Sequence, residues 1–253
     1  MKANELASYL DNALDSDCFA SNDPSRNGLQ VDGDGRELSK VAFAVDACVE
    51  TIERAAAAGA DMLVVHHGLF WKDIELVVAN HRKRLLALLS TGIALYASHL
   101  PLDAHSELGN NAALADRLGI QDRQRFGQWK GSLIGWKGCL AEPVSLDKAL
   151  SLVLSSGELP LHVLPFGPER ITSVGVVSGG GAAEMYQAID EGLDLFVTGE
   201  IGHEEYHHAL ENGISVIAAG HYQTETLGVR RLAAHLGSEI GMDTIFIDVP
   251  TGL

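Results

Sequence analysis

The segments GADMLVVHHG (residues 59–68) and GLDLFVTGE (residues 192–200) decide the fold of this sequence. Each begins with glycine, has aspartate two positions later and continues into an apolar run, and the offset between them is 192 − 59 = 133 residues. The same offset aligns residues 41–45 with residues 174–178 without a gap. Such self-similarity predicts a duplicated α/β unit, the alternative being chance likeness between two βαβ segments.

The residues around the first segment predict parallel βαβ units. KVAFAVDA (residues 40–47) has the composition of a buried strand, and helical patterns follow at residues 48–60 and 81–92. A third strand, in IALYASHLPLDA (residues 93–104), is expected to run into a loop. Residues 121–168 differ, because their pattern predicts short strands and one helix at residues 146–155.

Composition limits the class of protein. With 253 residues, 46% of them hydrophobic and 21% charged, the chain can bury a core as one large or two modest domains. A formal net charge of −16 repels phosphate backbones and anionic membranes, which argues against a nucleic-acid partner. Three widely spaced cysteines and no apolar run near the roughly 18 residues of a membrane span predict a cytoplasmic protein with no membrane contact.

Histidines and acidic residues follow the predicted strands of both repeats. Parallel sheets place ligand sites at the carboxyl ends of their strands, so these residues are expected to share one edge. In the first repeat they are His66, His67, His99 and Asp103, and in the second Glu200, His221 and Glu225.

Imidazole with carboxylate and without thiolate is a donor set for first-row transition metals. The neighbours His66 and His67 approach such a crevice from different sides, which favours two ions, and a carboxylate from Asp103 or Glu225 can bridge or cap them. Two metal ions held close together in this way can activate a water molecule for hydrolysis. The alternative is that these are ordinary surface or hydrogen-bonded histidines.

Two other motifs have competing interpretations. HEEYHHALENG (residues 203–213) places His203 and His207 one helical turn apart, and we favour a polar helix face over a second metal pair. SGGGAAE (residues 178–184) is either a phosphate cradle at a helix start or a tight turn that requires glycine. No serine or cysteine nucleophile with a partner is identifiable from spacing.

The motifs NGLQVDG, HHGLFWK, SHLPLDAHSELGNNAALA, SGGGA, TGE and GHYQTE together resemble the NGG-interacting-factor-three-like family. Its members are also called GTP cyclohydrolase 1 type 2 homologues, and the chain resembles the YbgI-type proteins among them. The resemblance covers nearly the whole chain, although residues 121–170 match in general character only.

The resemblance implies a duplicated, intertwined α/β fold with parallel or mixed sheets flanked by helices. The first domain would comprise residues 1–125 and 217–253, and the second residues 126–216. It also implies a toroidal homohexamer with a dinuclear metal site. By motif, His66 and Asp103 would bind one ion, His67 and His221 the other, and Glu225 would bridge both.

Two functions are compatible with such a site. The first is a metal-dependent hydrolase of the GTP cyclohydrolase type, in which activated water attacks C8 of guanine in GTP or another nucleotide and formate is released. His99 or Glu200 would move the proton. The second is a non-catalytic metal-binding regulatory or scaffold ring. Histidine and carboxylate ligands admit iron, zinc, manganese, nickel or cobalt.

Overall fold

The computed structural model describes residues 1–73, 76–155 and 157–253. The α-helices of this described part are α1 (Ala3–Ala13), α2 (Val49–Ala57), α3 (Ala79–Thr91), α4 (Leu100–Ala104), α5 (Asn110–Leu118), α6 (Leu146–Val153), α7 (Met185–Asp190), α8 (His203–Asn212) and α9 (His221–Ile240). Its strands are β1 (Gly28–Val31), β2 (Lys40–Asp46), β3 (Met62–His67), β4 (Ala94–Ala97), β5 (Ile120–Trp129), β6 (Ser132–Val144), β7 (His162–Pro165), β8 (Ile171–Val177), β9 (Leu195–Thr198), β10 (Ser215–Ala218) and β11 (Asp243–Phe246).

The chain divides into two compact units. Unit 1 comprises Met1–Leu108 and Gly228–Pro250, and unit 2 comprises Gly109–Leu227 and Thr251–Leu253. Each unit is an α/β structure with one mixed sheet, which confirms the predicted fold class. Among the helices traced in the described ranges, none is both long and apolar enough to cross a membrane.

The two sheets share a four-strand arrangement. Unit 1 has the order β1-β4-β3-β2-β11, and unit 2 has β5-β6-β8-β9-β10-β7. In both, three parallel strands (β2, β3 and β4, or β8, β9 and β10) carry an antiparallel edge strand, β1 or β7. The central strands are almost entirely buried, as expected when helices cover both faces of a parallel sheet.

The strand registers of the two units coincide at the offset found in the sequence. Val41 pairs with Met62 in unit 1, and Val174 pairs with Leu195 in unit 2, so both partners move by 133 residues. The units differ at the outer edge of this arrangement. There β11 adds in parallel to β2, whereas the antiparallel hairpin of β5 and β6 adds to β8.

One aspartate in each unit holds the start of the neighbouring parallel strand. The Asp61 carboxylate accepts from the backbone N and Oγ of Ser39, both at 2.8 Å, and from the backbone N of Lys40 at 3.2 Å. Asp194 accepts in the same way from the N and Oγ1 of Thr172 and the N of Ser173, at 2.7, 2.6 and 2.9 Å. The aspartate of each repeat motif therefore fixes strand register.

Two local predictions were wrong in detail. β5 and β6 are long strands of 10 and 13 residues rather than short ones. They are joined through Lys130 and Gly131, which have φ values of 45° and 90° and form the tight two-residue turn that suits a twisted hairpin. Lysine is an uncommon residue at positive φ, so the turn was not evident from sequence.

The predicted loop after the third strand is a helix. β4 ends at Ala97, and α4 begins directly after His99, with Pro101 in its first turn. The backbone N of Asp103 donates to the carbonyl of His99 at 3.1 Å, so these two residues are one helical turn apart. Proline favours this first-turn position because it lacks an N–H that would be unpaired there.

We predict that Asp194→Ala lowers the free energy of unfolding by about 1–2 kcal/mol, because three donors of unit 2 lose a charged acceptor at a partly exposed site. Denaturant unfolding monitored by circular dichroism measures the change. Asp190→Ala, which removes an exposed aspartate at the end of α7, is the control and should change stability little. Equal effects of the two substitutions would contradict the role given to Asp194.

The stabilisation by Asp194 should depend on pH. Burial acts to raise its pKa, but hydrogen bonds from Thr172 and Ser173 outweigh burial and hold the pKa below its ordinary value. The contribution is then fully present above the unfolded-state pKa of about 4 and is lost as pH falls through the lower folded-state pKa. The stability difference between wild type and Asp194→Ala should therefore be constant above about pH 4 and narrow progressively at lower pH.

Candidate metal centre

Unit 1 brings four candidate ligands together, which we call the first ligand set: His66, His67, His99 and Asp103. The ligand atoms of the three histidines lie within 4.8 Å of one another. Nε2 of His66 lies 3.5 Å from Oδ2 of Asp103. His66 is fully buried and Asp103 is 6% exposed, so an ion here would be largely shielded from water.

Two adjacent histidines can belong to one ligand set because they lie at the very end of a strand. His66 and His67 are the last two residues of β3, and their ring centroids are 4.7 Å apart at an interplanar angle of 47°. The chain turns immediately at Gly68, where a Cβ would lie 2.3 Å from the side chain of Gln30 and 2.6 Å from that of Ala97. Only glycine fits at this turn.

Gln30 shapes the loop that follows. Its Oε1 accepts from the backbone N atoms of Leu69 and Phe70, at 2.7 and 3.2 Å. The loop then carries Trp71, whose ring centroid is 5.3 Å from that of His99 and 6.2 Å from that of His67. The NGLQ and HHGLFW motifs are thus parts of one arrangement beside the first ligand set.

Unit 2 holds the second ligand set, His221 and Glu225. They lie one turn apart at the start of α9, with Nε2 of His221 3.0 Å from Oε1 of Glu225. Glu225 is 3% exposed, whereas the side chain of His221 is 29% exposed. As with His99 and Asp103, the x-x-x spacing in the sequence is that of a helical turn.

Every histidine of the two sets is held through Nδ1. His66 donates to the carbonyl of Ser98 at 2.9 Å, His67 bonds to Asp46 at 2.9 Å and His99 to Asp23 at 2.8 Å. In unit 2, His221 bonds to Glu200 at 2.6 Å. An acceptor on Nδ1 fixes the ring and leaves Nε2 as the ligand atom, which is the usual environment of a metal-binding histidine.

Asp23 is a buried carboxylate with a full set of partners. Besides His99 it accepts from the backbone N atoms of Ser25 and Leu100 and from Nδ2 of Asn27, at 2.8–2.9 Å. Burial acts to raise its pKa, but the contact with His99 and these hydrogen bonds outweigh burial and lower it. Asp23 therefore stays ionised and keeps His99 oriented.

Asp23 and Asp46 were missed in the sequence analysis. Asp46 ends the buried strand β2, so its position after an apolar run could have indicated a role at the sheet edge. Asp23 lies in a turn-rich segment with no periodicity, and its partner His99 is distant in sequence. Only the fold shows that pairing.

The charge around His221 favours a cation. Burial acts to lower its pKa, but the carboxylates of Glu225 and Glu200 outweigh burial and raise the pKa to about 9. A metal ion that replaces the proton on Nε2 would gain the neighbouring Glu225 carboxylate in the same way. The donor atoms of both sets, imidazole nitrogen and carboxylate oxygen, fit a divalent transition metal.

The glycine-rich turn makes room for the second ligand set. A Cβ on Gly179, which has φ +64°, would lie 2.1 Å from Oε1 of Glu225 and 3.2 Å from Nε2 of His221. The backbone N of Gly179 donates to Oγ1 of Thr224, and its carbonyl accepts from the backbone N of Glu200. These contacts favour the tight-turn interpretation of SGGGAAE, with the ligands themselves requiring the glycine.

The helix α8 is a polar surface helix. His203, His207 and His208 are exposed, and no group of potential ligands in the described ranges includes them. The preference for a polar helix face over a second metal pair is consistent with this placement.

A family model matches residues 1–252, and its description is Duf34/NIF3 (NGG1p interacting factor 3). The chain belongs to this family. That confirms the resemblance carried by the sequence motifs, including those that build the two ligand sets.

Relatives match along the whole chain. A protein of Treponema pallidum named GTP cyclohydrolase 1 type 2 homolog is 43% identical, and the match covers 100% of both chains. Two solved structures also match this chain over its whole length and over the whole of their own length. Protein ybgI, titled as of unknown function, is 37% identical with a TM-score of 0.92. The protein TTHA1606 from Thermus thermophilus is 41% identical with a TM-score of 0.86.

We predict that Gly179→Ala weakens metal binding, because the new methyl group displaces Glu225 and His221. Gly192→Ala is a matched control, since Gly192 has nearly the same backbone angle, φ +67°, with nothing within 4 Å of its Cβ position. Metal titration of the apoprotein measures both variants. Similar affinities in the two would mean that backbone strain, rather than the ligand contact, explains any loss.

Removing an Nδ1 partner should also weaken binding. Asp46→Ala frees the ring of His67 and is expected to lower metal affinity about 10–100-fold, the usual effect of losing such a partner. Glu50→Ala, at an exposed salt bridge on α2, is the control. Unchanged affinity in Asp46→Ala would argue that His67 does not bind metal through Nε2.

Proposed function

We propose that this protein binds two divalent metal ions per chain and acts as a metal-dependent hydrolase on a purine nucleotide or related substrate. By the family motif, His66 and Asp103 would hold one ion, His67 and His221 would hold the other, and Glu225 would bridge them. The observation that carries it is the uniform anchoring of four histidines through Nδ1, which leaves each Nε2 as the ligand atom. Nε2 of His66 lies 3.5 Å from the buried carboxylate of Asp103, and Nε2 of His221 lies 3.0 Å from that of Glu225. The name of the relatives, GTP cyclohydrolase 1 type 2 homolog, supports GTP as the first substrate to test.

Bound ions of this kind supply hydrolytic chemistry, because they lower the pKa of a water molecule to about 7. The chain's own residues would supply the proton transfer. Asp23 holds Nδ1 of His99, so Nε2 of His99 is the atom that accepts or returns a proton. We also propose Glu200 as a proton carrier, although its contact with Nδ1 of His221 first makes it an orienting residue.

Trp71 and the buried residues of the first ligand set would limit water at the site. The ring of Trp71 lies against His99 and His67, and Leu69 beside it is 3% exposed. A shielded site strengthens the interaction of a bound ion with its carboxylates and with a developing negative charge. The assembly implied by the resemblance, a homohexamer, belongs to the same proposal and is tested by light scattering of the full chain.

The deciding experiment combines elemental analysis with a turnover assay. Protein purified without added metal or affinity tag is expected to contain about two ions per chain, by analogy with other two-metal hydrolytic sites, and to release formate from GTP. Two ions without turnover of GTP or generic phosphoesters would reject GTP as the substrate and favour either another substrate or the non-catalytic ring. Absence of metal even after reconstitution would reject the metal centre itself.

Glu225→Gln should lose metal and formate release while retaining the fold, because the amide is neutral and has only one oxygen to bridge with. His207→Ala on the surface of α8 is the control and should keep both. Elemental analysis, formate release and circular dichroism are measured on each variant. Full metal retention by Glu225→Gln would contradict the bridging role.

A further inference from the structure

A polar cleft in unit 1 lies next to the first ligand set and includes none of its candidate ligands. Its volume is about 210 Å³, and Ser16, Ser25, Asp11, Asn27, Arg26 and Lys72 are among the residues that line it. A cleft of this size admits a small polar group such as a sugar or a phosphate.

Asn27 joins the cleft to the ligand set. Its Oδ1 accepts from the backbone N of His99 at 2.9 Å, and its Nδ2 donates to Asp23, the partner of His99. A molecule in the cleft thus contacts a residue that is hydrogen-bonded to a candidate metal-site histidine.

Ser25 lines the cleft and carries a buried hydroxyl. Ser25 is 6% exposed, and its Oγ has no hydrogen-bond partner among the described residues. Its backbone is held by the bond to Asp23 and by a bridge to Trp71, which fixes the position of its Cα beside the first ligand set. A buried hydroxyl without a partner is costly, and a ligand hydroxyl or phosphate oxygen would satisfy it.

The other residues that line the cleft suit a ligand that carries both hydroxyl groups and a negative charge. The Asp11 carboxylate accepts from Tyr96 through Oδ1, which leaves Oδ2 to accept from a ligand hydroxyl. Arg26 and Lys72 are exposed cations at the rim, and the Arg26 guanidinium donates to the carbonyl of Lys72 at 3.3 Å. Asp17 at the rim offsets part of this charge, so a purely anionic ligand is a poorer match than a sugar phosphate.

Backbone pairing keeps these groups together. The backbone N of Arg26 donates to the carbonyl of Phe70 at 3.0 Å, and that of Lys72 to the carbonyl of Pro24 at 2.7 Å. Segment 24–26, of which Ser25 and Arg26 line the cleft, is thereby tied to the loop that carries Trp71 beside His67 and His99. The same pair of hydrogen-bonded segments therefore borders both the cleft and the first ligand set.

We propose that this cleft binds the phosphorylated sugar of the substrate, with the sugar hydroxyls on Ser25 and Asp11 and the phosphate on Arg26 and Lys72. The proposal rests on the proposed hydrolase function and deepens it, because it assigns a subsite to one part of the substrate. The sugar phosphate is either part of a nucleotide or a free sugar phosphate, and binding experiments separate the two sources.

The test is calorimetric titration of the full, metal-loaded chain with ribose 5-phosphate, inorganic phosphate and GTP. Ribose 5-phosphate should bind, and Ser25→Ala and Lys72→Gln should each weaken it about tenfold, the effect of losing a hydrogen bond to a charged group. Ser90→Ala and Lys83→Gln, on the exposed surface of α3, are the matched controls and should bind as wild type does.

The outcomes separate this proposal from the proposed function. Competition between GTP and ribose 5-phosphate identifies the nucleotide as the source, and ribose 5-phosphate binding without GTP binding identifies a free sugar phosphate. No binding of ribose 5-phosphate, or binding unchanged in both cleft variants, overturns the subsite even if formate is released normally. Equal binding of inorganic phosphate and ribose 5-phosphate overturns the assignment of the sugar.

Discussion

The hydrogen bonds from Asp61 and Asp194 to the start of a neighbouring strand are the constraint on which the rest of the structure depends. In each unit one carboxylate gathers three donors from the adjacent strand start and so sets the register of the parallel pair. A slip of one residue would turn each side chain to the opposite face of the sheet. Because register also sets where the strands end, it determines which residues reach the sheet edge at which each unit holds its own ligand set.

In both ligand sets, the ring of each histidine is held by a hydrogen bond at Nδ1, the nitrogen that is not the ligand atom. A carbonyl or a carboxylate is hydrogen-bonded to each Nδ1. Gly68 follows His67, Gly179 faces Glu225, and a side chain at either glycine would clash with its neighbours. Orientation of this kind is arranged before any ion arrives, which lowers the ordering cost of binding. The two units reach the same result differently, since β3 ends in two histidines, whereas the equivalent positions after β9 are Gly199 and Glu200.

Much of this could be predicted from sequence, for identifiable reasons. The duplication was detectable because both repeats keep the glycine and aspartate that build the same strand start. The ligand types were detectable because histidines and acids follow apolar strands. The partners Asp23 and Asp46 were not, since hydrogen bonds between residues distant in sequence have no periodic signal. Spacing of four residues in His99–Asp103 and His221–Glu225 was assigned to strand ends, although it is the spacing of a helical turn.

The discontinuous make-up of unit 1 has a consequence for biosynthesis. Its sheet includes β11, which pairs with β2 but is encoded after the whole of β5–β10. A nascent chain can therefore complete the sheet of unit 2 while that of unit 1 still exposes an edge of β2. Such long-range pairing slows folding and leaves the open edge available for wrong contacts. β11 therefore completes the sheet of unit 1 only after β5–β10 of unit 2 have been synthesised.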